Sequence, residues 1–165
     1  NKEDAEQNMV SGPEGPFSSG FSMGINERQQ QIIDEFSAMD DWEDRYKRII
    51  EYGRKLAPMD AEFKTDKNKV KGCQSTVWLH AQASDDAVQY QGDSDAMIVR
   101  GLIALLLMVY NGATPAEVVA TPPDFVEATG LAGHLSQTRA NGLAAMVKQI
   151  KMYAAVFQAM QNSGK

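Results

Sequence analysis

Residues 95–110 read DAMIVRGLIALLLMVY and, wound into a helix, are apolar on nearly every side. A helix of that kind cannot leave a face in water, so the rest of the chain must surround it. Its most apolar run, from Gly101 to Tyr110, is bounded by Arg100 and is far too short to span a bilayer. The stretch is therefore expected to be the central buried helix of a globular domain, ended by Asn111-Gly112. At 165 residues the chain suits one domain and can bury a sizeable core.

The neighbours of this helix follow from periodicity. Ile25, Ile32, Ile33, Phe36 and Met39 recur at helical spacing, with Asn26 as the expected cap and Gln29 as its capping-box partner. A second helix is expected from Asp41, with the stripe Trp42, Tyr46, Ile49, Ile50, Gly53 and Leu56, and Pro58 as its stop. Its outer face offers Glu43–Lys47, Asp44–Arg48 and Glu51–Lys55 at i, i+4. These two helices are expected to pair antiparallel. Residues 60–72 are polar and read as a loop. The period then changes to two. Val77, Leu79, Ala81 and Ala83 face one way, Ser84-Asp85-Asp86 make a turn, and Val88, Tyr90 and Gly92 alternate with Gln89 and Gln91 in the return strand, a β-hairpin. Thr114-Pro115-Ala116-Glu117 is a helix start with cap, N1 proline and N3 glutamate. Pro122-Pro123 breaks that helix, and a last one is expected from Ser136 to about Met160. The fold class is α+β: a small antiparallel sheet, the hairpin plus a possible third strand, flanked by helices. Residues 1–24 are rich in Gly, Ser, Pro, Asn and Glu and are expected to be a disordered tail, leaving 25–162 as the domain.

The net charge of −6 argues against nucleic acid and anionic membranes as partners. The chain has one cysteine and two histidines. A single thiol allows no internal disulfide and no cysteine-caged zinc or iron–sulfur centre, and no metal-ligand spacing surrounds either histidine. A free thiol suits a reducing compartment, so the cytoplasm is the expected location. Residues 1–20 contain no apolar run of the secretory-signal kind. A monomer or weak dimer is expected.

Cys73 is the residue most able to carry chemistry. It follows Gly72, which can adopt backbone shapes that present the next side chain unusually. Lys64, Lys67, Lys69 and Lys71 lie just upstream, and positive charge favours the thiolate, which is the nucleophile. The competing reading is a small, inert, buried residue. An activated thiol also oxidises, so shelter in an apolar pocket beside Val77 or Trp78 is expected at rest. Arg139 would fall at the third position of the last helix, where a cation opposes the helix dipole. It either pairs with a nearby carboxylate or handles an anion or a partner. Asp93-Ser94-Asp95 is what capping alone would put before a helix. A Cys73–His134 hydrolase pair is conceivable without local support.

Gly72-Cys73-Gln74-Ser75-Thr76-Val77-Trp78 resembles the active-cysteine signature of the SufE family. The block from Gln91 through Gly92-Asp93-Ser94-Asp95 to Ile103 resembles that family's second motif. His134-Leu135-Ser136, Arg139 and Gly142-Leu143-Ala144-Ala145-Met146 resemble the third. The likeness covers roughly residues 26–160. It departs at Gln137-Thr138, where relatives often carry Pro-Ser, so a favourable N1 proline is missing. The resemblance implies a SufE/NifU-like α+β fold and a sulfur carrier rather than an enzyme. It implies that Cys73 accepts persulfide sulfur from a PLP-dependent cysteine desulfurase of the SufS type, stimulating that enzyme. The sulfur would pass on to an iron–sulfur scaffold such as the SufBCD complex. The PLP belongs to the desulfurase, and the chain needs no cofactor of its own. By motif position the resemblance places Asp95 and Arg139 near the cysteine and partner surface, with Gly72, Gln74 and His134 as supporting residues; Lys71 joins them from the lysine cluster before the thiol. Two other readings of the residues stand beside it: a non-catalytic adaptor that activates a desulfurase allosterically, and a thiol peroxidase or hydrolase.

Overall fold

The computed structural model describes residues 23–164; the expected tail lies outside them up to residue 22. In chain order the elements are α1 (Ile25–Ser37), α2 (Trp42–Lys55), two 3₁₀ turns (Ala61–Phe63 and Asp66–Asn68), β1 (Val77–Ser84) and β2 (Ala87–Ser94). Then come α3 (Met97–Tyr110), α4 (Pro115–Ala120), α5 (Asp124–Ala128), a 3₁₀ turn (Ala132–His134) and α6 (Gln137–Ser163).

The expected central helix is α3, which packs against α1, α2, β2 and α6. Leu102, Ile103, Leu105, Leu106, Val109 and Tyr110 are each no more than 1% exposed. Each aliphatic side chain so buried contributes about 2 kcal/mol. Among the described residues no single helix is long and apolar enough to cross a membrane.

The helix α2 meets α3 backbone to backbone. A Cβ on Gly101 would stand 2.1 Å from the Ile49 carbonyl oxygen, and one on Gly53 would stand 2.8 Å from the Gly101 nitrogen. Only glycine permits that crossing. Arg100 then reaches over the C-terminal end of α2, donating from Nε to the Gly53 carbonyl (2.7 Å) and from Nη2 to the Leu56 carbonyl (3.2 Å). Carbonyls at a helix end have no partner within the helix. The expected pairing of α1 with α2 takes the form of side-chain links. Arg48 Nε is 2.6 Å from a Glu35 carboxylate oxygen, Tyr52 donates to the other Glu35 oxygen, and the Phe36 and Tyr52 rings stack at 6.4 Å. Because Arg48 turns to Glu35 and also to Glu51 (3.7 Å), the expected Asp44–Arg48 pair does not form. The pairs Glu43–Lys47 (3.6 Å) and Glu51–Lys55 (3.4 Å) do.

The hairpin has the register Val77↔Ser94 through Ser84↔Ala87. Asp85, at φ 55, supplies the left-handed residue of its two-residue turn. Val77, Leu79 and Ala81 are buried as expected, while Ala83 is exposed because the strand outruns the core. The possible third strand reduces to one isolated bridge, Lys69 to Trp78, so the sheet has two strands. The cap of α1 is Gly24 rather than Asn26, with the Glu27 carboxylate accepting from the Gly24 N–H at 3.2 Å. Burial of Ile25 draws the helix start back to that point. The Thr114 cap forms as expected, and Asp41 and Ser136 cap the helices expected to start there.

Asp93 ties these elements together. It is 5% exposed, and its carboxylate meets Arg100 Nη1 at 2.5 Å and Lys64 Nζ at 2.7 Å, with the Ser94 N–H donating at 2.7 Å. One carboxylate thus joins the end of β2, the helix α3 and the loop after α2. Burial alone would raise its pKa; Lys64, the Ser94 amide and Arg100 outweigh burial and hold it below the ordinary range.

This packing sets the cost of two substitutions. Gly101→Ala forces backbone apart and should cost about 3 kcal/mol, a fall of roughly 6–12 °C in the thermal midpoint; an unchanged midpoint would contradict the close crossing. Asp93→Asn should cost about 3 kcal/mol at neutral pH, at the low end for a buried pair because its cations keep partial exposure and screening. A lowered carboxylate pKa stabilises above about pH 4 and the benefit disappears as pH falls through the lowered value. The gap between variant and native chain in urea denaturation should therefore close in acid, and a gap constant with pH would refute the ion cluster.

Candidate functional site

Residues 71–76 form a loop between the Lys69 bridge and β1. Its base is closed by Val70 N–H donating to the Val77 carbonyl at 2.8 Å. Thr76 is held from both sides: its N–H donates to Asp95 Oδ1 (3.1 Å), and its carbonyl accepts from Ser94 Oγ (2.8 Å) and the Asp95 N–H (3.3 Å). Ser94 and Asp95 thus do more than prepare a helix. Asp95 does not cap α3; its carboxylate fixes the backbone three residues from the thiol.

Within the loop Gly72 has φ +96, a left-handed conformation that suits glycine, and a Cβ there would lie 3.3 Å from Ala145 Cβ on α6. That geometry turns Cys73 towards α6. Its thiol, half-buried, sits 3.6 Å from the Gly142 carbonyl, to which the S–H donates. A Cβ on Gly142 would stand 3.4 Å from Sγ, so the helix makes room for the sulfur by omitting a side chain. Cys73, Gln74, Ser75, Val99, Arg139 and Met146 line a cleft of about 290 Å³ that opens beside the sulfur. The walls of that cleft come from the cysteine loop, α3 and the start of α6, and neither Val77 nor Trp78 lines it.

The thiol is not activated by its upstream lysines. Burial pushes its pKa up from the ordinary value, and the S–H bond to a carbonyl favours the same neutral form. The lysines are engaged elsewhere: Lys64 with Asp93 (2.7 Å), Lys69 with Asp66 (3.0 Å), and Lys67 acting on His80. Lys71 is exposed and does not line the cleft.

Of the residues named from sequence, Gly72, Cys73, Gln74 and Arg139 come together, with Asp95 anchoring the loop. Arg139 makes no ion pair among the described residues; Ser136 Oγ accepts from its N–H at 3.2 Å. His134 belongs to another place. Its ring stacks on Trp42 at 3.7 Å, its Nδ1 is 3.1 Å from the Gly130 carbonyl oxygen, and it borders a separate cleft with Pro122, Pro123 and Glu127. A Cys73–His134 catalytic pair is therefore not formed. His80 stacks on Phe63 at 3.7 Å, and burial followed by Lys67 lowers its pKa. Among the described residues no three His, Cys, Asp or Glu side chains are placed to hold a metal. Sequence reasoning did not assign Val99, Gly142 or Met146 to the cleft. Gly142 carried a signal, since a glycine inside a helix costs about 1 kcal/mol relative to alanine and wants a packing reason.

Residues 30–154 match the family model described as SufE: Fe-S metabolism associated domain. A SufE-like protein of Synechocystis sp. is 45% identical over 135 residues, covering 82% of this chain and 85% of that protein. One from Rhizobium meliloti is 44% identical, covering 75% and 92%. The SufE-like protein 1, chloroplastic/mitochondrial, of Arabidopsis thaliana is 36% identical over 84% of this chain, which spans 38% of that longer protein. In fold, a hypothetical protein from Thermus thermophilus, solved in solution, superposes with TM-score 0.67 at 23% identity, covering 78% of this chain and 93% of that one. A mixed α+β architecture, a cysteine loop seated on the last helix and matches to bacterial relatives that span most of both chains lead to one conclusion: this chain belongs to the SufE family, whose domain is associated with iron–sulfur metabolism.

Proposed function

We propose that this chain accepts a sulfur atom on Cys73 from the persulfide of a PLP-dependent cysteine desulfurase, accelerates that enzyme by clearing its persulfide, and passes the sulfur to an iron–sulfur assembly scaffold. The observation that carries the reading is the setting of the one thiol. It rides a short loop clamped at its base, turned by a left-handed glycine, and it forms one wall of a cleft shared with Arg139.

Sulfur acceptance is an exchange. The Cys73 thiolate attacks the outer sulfur of the donor persulfide; a new S–S bond forms at Sγ as the donor's S–S bond breaks. The electron pair leaves on the donor's cysteine sulfur, which takes up the proton given up by Cys73. Oxidation states balance, and no cofactor is required beyond the PLP of the donor. In the resting chain the sulfur is neutral and sheltered, a state that resists oxidation. Lifting the loop off α6 removes both the burial and the Gly142 carbonyl that keep it protonated, so the thiol becomes reactive where the donor can reach it. A reducing compartment such as the cytoplasm keeps it available.

Cys73→Ser should retain the fold yet abolish stimulation of the desulfurase, measured as alanine released from cysteine. Full stimulation by the variant would favour the adaptor reading. In the free chain, a raised thiol pKa means a proton held more tightly when folded. Alkylation by iodoacetamide should therefore rise with pH along a curve displaced upward from that of the same thiol in the denatured chain. A curve displaced downward would show an activated resting thiolate and contradict the sheltered state.

A further inference from the structure

The helix α6 carries Met152, Val156 and Met160, which are 51%, 56% and 63% exposed. Spaced four apart, they share one side of the helix. Single exposed apolar residues are ordinary, but three in register form a patch. The ridge runs back towards the sulfur site. Ala145, two turns before Met152, is the residue against which Gly72 closes. From Ala145 to Met160 the helix rises about 22 Å, room for about four turns of a second helix.

Along α6 and the segment that leads into it, the charge is of one sign. In a chain of net charge −6, no Asp or Glu occurs from Ala128 to Lys165. Arg139, Lys148 and Lys151 make no ion pair among the described residues. The Lys151 ammonium donates only to the Val119 carbonyl, at 3.4 Å. A second copy docked on the same ridge about a two-fold axis would set cations against cations. An anionic membrane would be opposed by the acidity of the rest of the chain. The surface that complements an apolar ridge with uncompensated cations is an amphipathic helix with an acidic flank.

We infer that the ridge Met152–Val156–Met160 docks an acidic, apolar-faced helix of the sulfur donor and so brings its persulfide to Cys73. The inference rests on the acceptor reading above and names the surface that reading leaves open. The residues that act are Met152 and Val156 as apolar anchors and Lys148 as the charge beside them.

The test uses the full chain with the desulfurase. Met152→Glu/Val156→Glu should raise the concentration of this protein giving half-maximal stimulation about tenfold. Lys148→Glu should raise it roughly threefold, and added salt should weaken the native chain in the same direction. The maximal rate at saturation and the alkylation of free Cys73 should stay unchanged, a split that a folding defect would not produce. Lys148→Glu serves as the reading should the double variant lose its helix. Half-saturation unchanged in both variants, with sulfur still accepted, overturns the ridge and leaves the acceptor reading intact. A native chain that gains no sulfur removes both. A change confined to self-association, or to binding of phosphatidylserine vesicles, assigns the ridge to another occupant and overturns the inference.

Discussion

The crossing of α2 over α3 at Gly53 and Gly101 is the constraint on which the structure turns. It lets a helix apolar on nearly every side be buried by its neighbours, and interiors packed at crystal-like density tolerate little else. From that fixed helix the site is assembled outward. Val99, near its start, forms a wall of the cleft. Arg100 closes the end of α2 and, through Asp93 and Lys64, holds the loop that leads into the cysteine segment. Ser94 and Asp95 pin Thr76 just beyond the thiol. Both ends of the sulfur-bearing loop are thus hydrogen-bonded to the packed part of the fold.

Between those ends the restraint is weak. The thiol reaches the helix through one long bond to the Gly142 carbonyl at 3.6 Å, and S–H is a poor donor. A partner that prefers the lifted loop needs only a modest differential affinity to shift such an equilibrium. Burial protects a thiol that would oxidise if ionised in solvent; under the proposed sulfur transfer, contact with the donor would supply what burial withholds.

Much of the fold could be read from residue order because its signals are local. The all-round apolar pattern of α3, the alternation of Val77 to Ala81 and the Thr114-Pro115-Ala116-Glu117 start each depend on neighbours within a few positions. The cysteine, its glycine and Arg139 were legible too, the last as a cation at the wrong end of a helix. What escaped depends on distant partners. Asp93 looks like part of a capping cluster until Lys64, from another segment, arrives at 2.7 Å. The lysines before Cys73 looked like activators, but proximity along the chain did not decide where their ammonium groups point, and Lys64 and Lys69 found carboxylates instead. Gly142 gained meaning only when the sulfur was seen against it. His134 shares a sequence block with Arg139 yet spends its ring on Trp42, because the turn before α6 sends the two side chains to different clefts.

The most direct measurement is to incubate the chain with a cysteine desulfurase and cysteine, trap sulfur species by alkylation, and map the peptide containing Cys73 by mass spectrometry. A sulfane sulfur on Cys73, formed only when both donor and cysteine are present, is the predicted result. A chain that leaves the reaction with Cys73 as an unmodified thiol, while the desulfurase is still accelerated, would contradict it.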